Sequence, residues 1–118
     1  MKDNILTEKS IDFAARIMNL YKFLMDKKEF TVSKQVIRSG TSIGANINEA
    51  NYAQSSADFI SKLHIALKEC AETEYWIKLL HKAEYVSDSQ KDSLLLDCIE
   101  IKKILIASIN TAKNNNLK

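Results

Sequence analysis

Apolar residues recur along this chain at alternating spacings of three and four, in four separate stretches. In the first, Ser10, Ala14, Ile17, Tyr21 and Leu24 form one seam. Leu6, Phe13 and Leu20 add a row at sevens, and Ile11, Met18 and Met25 add another. Such spacing sets each row on one helix face and predicts a helix over about residues 4–26. The seam Val36, Gly40, Ile43, Ile47 and Ala50 predicts a second helix over 31–53. Phe59, Leu63, Ala66, Cys70, Thr73, Ile77 and Leu80 predict a third over 56–82. Leu94, Cys98, Ile101, Leu105, Ser108 and Ala112, widened by Leu95, Ile99, Ile106 and Ile109, predict a fourth over 88–113.

The breaks carry helix-start chemistry. Thr31 or Ser33 can cap the second helix, and Ser55 or Ser56 the third, because a hydroxyl accepts from the free N–H groups of a first turn. Ser87-Asp88-Ser89-Gln90 has the S-x-x-Q form of a capping box. Short connections between long helices force antiparallel neighbours. The fold class predicted is all-α, an antiparallel up-down-up-down four-helix bundle forming one domain over residues 1–118. The apolar stripes are wider than a lone bundle can hide, which predicts association between copies.

Gly40 and Gly44, the only glycines, both fall in the second helix. Each costs roughly 1 kcal/mol relative to alanine in a helix interior. Close approach of a neighbouring helix offsets that cost; the alternative is a bend or break near Gly40. Absence of proline and scarcity of glycine exclude an all-β domain of 118 residues, which needs many tight turns. Apolar residues at 46% and charged residues at 27% lie in the ordinary globular range.

Net charge is +2, with no basic tail, so any nucleic-acid contact must come from a local patch or its repetition in an oligomer. Lys34 and Arg38 are four apart on the second helix, and Lys27 and Lys28 sit at its entrance. These four are the candidate phosphate-binding patch; the alternative is an ordinary solvated face. No charged-then-apolar leader and no long apolar run is present, which predicts a cytoplasmic chain without a membrane partner. Cys70 and Cys98 are then expected to be reduced thiols, close together if the last hairpin turns near residue 85.

Catalytic signatures are lacking. His64 and His81 have no Glu three residues earlier, so the di-iron Glu-x-x-His pattern is absent. Two lone cysteines do not make a zinc site, and no phosphate loop surrounds the glycines. Glu69 and Glu72 could pair for catalysis or form an ion-pair face. Tyr75 and Trp76 could stack a base, but beside Ile77 and Leu80 they read as core or oligomer-interface anchors. The residues predict no enzyme, metal, cofactor or small-molecule substrate.

The run Arg38-Ser39-Gly40-Thr41-Ser42-Ile43-Gly44-Ala45-Asn46, followed by Glu49-Ala50 and Glu74-Tyr75-Trp76, resembles the four-helix-bundle family of the 23S rRNA intervening-sequence proteins. NLYKFL at 19–24 and KKEF at 27–30 fit as well. The resemblance implies a ring-shaped homo-oligomer, commonly a homopentamer. It also implies association with RNA or a nucleoprotein partner, as in the related accessory variability proteins of diversity-generating retroelements. The alternative is a structural or protein-recruiting homo-oligomer with no nucleic-acid affinity.

Overall fold

The computed structural model describes residues 3–117, and among them the secondary structure is four helices and no strand. They are α1 (Asp3–Asp26), α2 (Val32–Ala50), α3 (Ser56–Lys82) and α4 (Asp88–Leu117). Each helix packs on the next, and α4 returns more lightly onto α1; among the described residues the backbones of the diagonal pairs do not approach closely. The helices therefore stand at the corners of a square, in a body of 51 × 22 × 20 Å.

The seams meet at its centre. Phe13, Ile17 and Leu24 of α1, Val36, Ile43 and Ile47 of α2, Leu63 and Ile77 of α3, and Ile101 and Leu105 of α4 are all essentially inaccessible to solvent. Burying such side chains contributes about 1.5–3 kcal/mol each, which makes this row the main source of stability. The row Ile11 and Met18 lies outside it, 61% and 50% exposed.

Contacts between neighbours run in opposite numerical order. Gly40 lies against Ile17, Gly44 against Ser10, and Asn51 donates to Thr7 Oγ1 at 3.1 Å. Across α2 and α3, Arg38 meets Glu72 and Lys62 meets Glu49. Ser39 Oγ lies 2.8 Å from Thr73 Oγ1, a buried polar link between the same two helices.

The capping chemistry differs from expectation at α2. Thr31 makes no side-chain cap. Instead the Glu29 carboxylate accepts from the N–H groups of Thr31, Val32 and Ser33 at 3.2, 3.0 and 2.6 Å. A two-oxygen acceptor spans more of the orphan donors than one hydroxyl can. Ser55 caps α3 by accepting from Asp58 N–H at 3.1 Å. The Ser87–Gln90 box closes both ways, Ser87 N–H to Gln90 Oε1 at 2.7 Å and Gln90 N–H to Ser87 Oγ at 3.1 Å.

Two boundaries also move. The second helix ends at Ala50 rather than 53, because Tyr52 and Ala53 N–H bond three residues back, to Glu49 and Ala50 carbonyls, and tighten the chain out of the α-helix. The fourth runs to Leu117, past 113: asparagine lowers helix propensity only by tenths of a kcal/mol and does not break a helix. Gly40 and Gly44 interrupt nothing; α2 passes through both.

Candidate nucleic-acid interface

The α1–α2 turn and the end of α3 share one end of the bundle, and the candidate basic residues gather there. Leu24 carbonyl accepts from Glu29 N–H at 2.9 Å, Met25 carbonyl accepts from Lys28 N–H at 2.9 Å, and Lys28 takes φ 62°. These are the bonds of a Schellman stop, in which a left-handed residue ends the helix. The stop turns the Lys27 and Lys28 side chains outward. Lys27 Nζ sits 5.0 Å from the centroid of the Phe23 ring, within cation–π range. Lys34 follows on the exposed side of the first turns of α2. Among the described residues none of these three lysines forms an ion pair.

Glu29 sits beneath this patch and is buried. Burial pushes its carboxyl up, but the hydrogen bonds from Val32, Ser33 and Thr31 outweigh it and leave the group below its ordinary value. The group therefore stays ionised and holds the start of α2. Beside Lys27 a shallow groove is lined by His81, Lys82, Tyr85 and Asp88, among others. His81 Nε2 lies 2.5 Å from Asp88 Oδ1, and that hydrogen bond, with the imidazole's charge, lowers the Asp88 carboxyl. Sequence reading missed Lys82; it lines the same groove as Lys27 because α1 and α3 end at the same end of the bundle.

Arg38 is placed differently from the lysines. Its guanidinium bonds Glu72, lies 3.5 Å from Glu69 Oε1 and reaches Gln35 Oε1 at 3.5 Å. Two carboxylates thus already answer its charge. Glu72 Oε2 also accepts from the Trp76 indole N–H at 2.9 Å. The Trp76 ring meets Tyr75 edge-on, centroids 4.9 Å apart and planes at 68°. Trp76 is half-buried against the core, whereas Tyr75 is 57% exposed. Glu69 and Glu72, the conceivable catalytic pair, are both engaged by Arg38.

Gly40 is buried, and Gly44 is partly exposed beside Ser10. Cys70 and Cys98 are free thiols, wholly buried, with Cys98 Sγ donating to the Cys70 carbonyl at 3.6 Å. Interaction with the Cys70 thiol and then burial push the Cys98 thiol far up, so it stays protonated. Among the described residues no group of three His, Cys, Asp or Glu side chains could hold a metal ion, and no helix is long and apolar enough to cross a membrane.

The fold and this site define a small four-helix protein whose candidate basic side chains stand at the surface of one end. The sequence pattern of the 23S rRNA-intervening sequence protein family matches residues 2–107, and the chain belongs to that family. It is similar to a solved structure from Bacteroides thetaiotaomicron, described as a protein with unknown function from the S23 ribosomal protein family. The two share 59% identity over 93% of this chain and 99% of that one, with a TM-score of 0.92. No curated protein matches the chain.

Proposed function

We propose that this protein is a non-enzymatic, oligomeric binding protein of the cytoplasm that associates with RNA or a ribonucleoprotein. In this reading the helices form an antiparallel up-down-up-down bundle, which the opposite order of the cross-helix contacts supports. Copies assemble as a ring, a homopentamer being favoured. The observation that carries the nucleic-acid reading is the trio Lys27, Lys28 and Lys34, exposed at one end without carboxylate partners among the described residues. The family's name ties its members to 23S rRNA. Repetition of the trio around a ring turns weak contacts into avidity for one polyanion.

A filter-binding titration against structured rRNA fragments at two salt concentrations tests this. Phosphate contacts release counterions, so affinity falls steeply with salt. The triple substitution Lys27→Gln, Lys28→Gln, Lys34→Gln is expected to weaken binding and flatten that dependence. No binding at low salt would sink the reading.

A second reading is a protein-recruiting homo-oligomer without nucleic-acid affinity. The neutralisation of Arg38 by Glu69 and Glu72, with a net charge of only +2, favours it. Nuclease-insensitive recovery of protein partners alone would decide for it.

A further inference from the structure

The aromatic rings at the lysine-bearing end of the bundle are placed differently from one another. Phe23 is half-buried and lines the shallow groove, and Lys27 Nζ already stands over its ring. Tyr85 lines the same groove and packs against the core. Phe30 lies in the turn between α1 and α2 and is 54% exposed.

The Phe30 ring does not serve as a helix staple. Thr31 is the N-cap residue of α2, so Phe30 holds the place from which a hydrophobic staple packs onto the fourth residue of the helix. That fourth residue is Gln35, which is exposed and whose Oε1 lies 3.5 Å from Arg38 Nη2. The turn is instead made by the neighbours of Phe30. Lys28 is left-handed, Glu29 N–H bonds Leu24 carbonyl, and the Glu29 carboxylate accepts from Thr31, Val32 and Ser33 N–H. Backbone bonds on both sides of Phe30 thus hold its position, and a ring held in place loses little freedom when something settles on it.

The exposed side chains from 27 to 35 are Lys27, Lys28, Phe30, Thr31, Lys34 and Gln35. Asp26, just before this run, is the nearest exposed carboxylate in sequence, and Glu29 is buried. The α-carbon of Phe30 lies at most roughly 7 Å from that of Lys28 and roughly 14 Å from that of Lys34, within reach of long side chains. One open ring is therefore flanked by cations. An anchor for a protein partner sits among apolar neighbours that exclude water; Phe30 has ammonium, hydroxyl and amide groups around it. A ring with cations on either side matches an unpaired nucleotide, which offers a bare base to the ring and phosphates to the lysines. In a duplex each base is covered by its neighbours, and the ring finds no face to stack on.

We infer that the lysine patch takes unpaired RNA, with a base stacked on Phe30 and the adjoining phosphates on Lys28 and Lys34. The inference rests on the proposal that this patch binds RNA, and adds which form of RNA it takes.

The test titrates the full chain with a fluorescein-labelled, unstructured RNA of about 16 nucleotides, the upper end of single-strand site sizes, and with the same RNA paired to its complement. The wild type should bind the single strand more tightly. Phe30→Leu keeps an apolar side chain and removes the flat ring. It should weaken single-strand binding about fivefold or more, leave duplex binding unchanged, and keep the slope of affinity against salt, because no charge is lost. Phe30→Trp should keep the affinity, and its added emission should be quenched by the single strand and not by the duplex. Far-UV circular dichroism checks that both variants keep their helicity. Phe30→Leu binding the single strand as the wild type does would overturn the inference, with the lysine contacts still standing. Equal losses on single strand and duplex would overturn it too, by making Phe30 a support of the turn. Failure of the wild type to bind either RNA at low salt removes the RNA reading itself.

Discussion

A β-carbon placed on Gly40 would lie 2.8 Å from both Cγ1 and Cγ2 of Ile17. No real side chain tolerates that distance, and Ile17 is fully buried with its branch point also within 3.2 Å. Gly40→Ala therefore gains about 1 kcal/mol of helix propensity and loses roughly 1–3 kcal/mol to overpacking. Net destabilisation of about 1 kcal/mol is expected in urea unfolding. Gly44→Ala meets Ser10 Oγ at 3.2 Å and is only partly enclosed. Its gain and loss are nearly equal, so stability should move by less than about 0.5 kcal/mol. A Gly44→Ala loss as large as that of Gly40→Ala would contradict this packing.

Glu29 closes one helix and opens the next: its N–H bonds Leu24 at the end of α1, and its carboxylate holds the first N–H groups of α2. Its folded pKa is lowered from 4.5. The stabilisation is therefore complete above the unfolded value and is lost as pH falls through the folded one. Glu29→Ala should cost about 1 kcal/mol at neutral pH, as caps do. The gap between variant and wild type should close in acid, measured by denaturant midpoints across a pH series. A gap that persists unchanged below pH 3 would show that the charge is not what matters.

The helices were legible because every seam position is set by local spacing. Val36, Gly40, Ile43, Ile47 and Ala50 needed nothing but their numbers to be placed on one buried face. The cap at Glu29 was not legible, since a carboxylate three residues before Val32 reaches forward to the first N–H groups of α2 only when the chain has first turned through Lys28. The same limit applies to Arg38. Its spacing from Lys34 put both on one helix, but only the packing of α3 beside α2 brings Glu69 and Glu72 to the guanidinium. Of the four basic residues read from sequence, Arg38 is thus set apart by its two carboxylate partners, while Lys82 lines one groove with Lys27.

Arg38 is thus expected to behave as a clasp between α2 and α3. Arg38→Ala should lower stability by about 0.5–1 kcal/mol at low salt. The loss should shrink in about 1 M salt, where screening reaches about 3 Å. Trp76 is the only tryptophan and shares Glu72 with Arg38, so its fluorescence reports the event. An emission spectrum unchanged by the substitution, with stability unchanged as well, would mean that the clasp is absent in solution.

Lys28 and Glu84 hold equivalent places, each left-handed at the stop of its helix, with φ 62° and 69°. At the second, Leu80 carbonyl accepts from Tyr85 N–H at 2.9 Å, and His81 carbonyl accepts from Glu84 N–H at 3.0 Å. A side chain there carries a steric cost of roughly 1–2 kcal/mol that glycine lacks. Glu84→Gly should raise stability by about 1 kcal/mol, and Glu84→Ala should not, because alanine keeps the Cβ. Lys28→Gly should likewise stabilise the fold while removing one of the three proposed phosphate contacts. Its RNA affinity should fall as its unfolding midpoint rises, a divergence that partial unfolding cannot produce. Equal affinity in a stabilised Lys28→Gly would take Lys28 out of the interface.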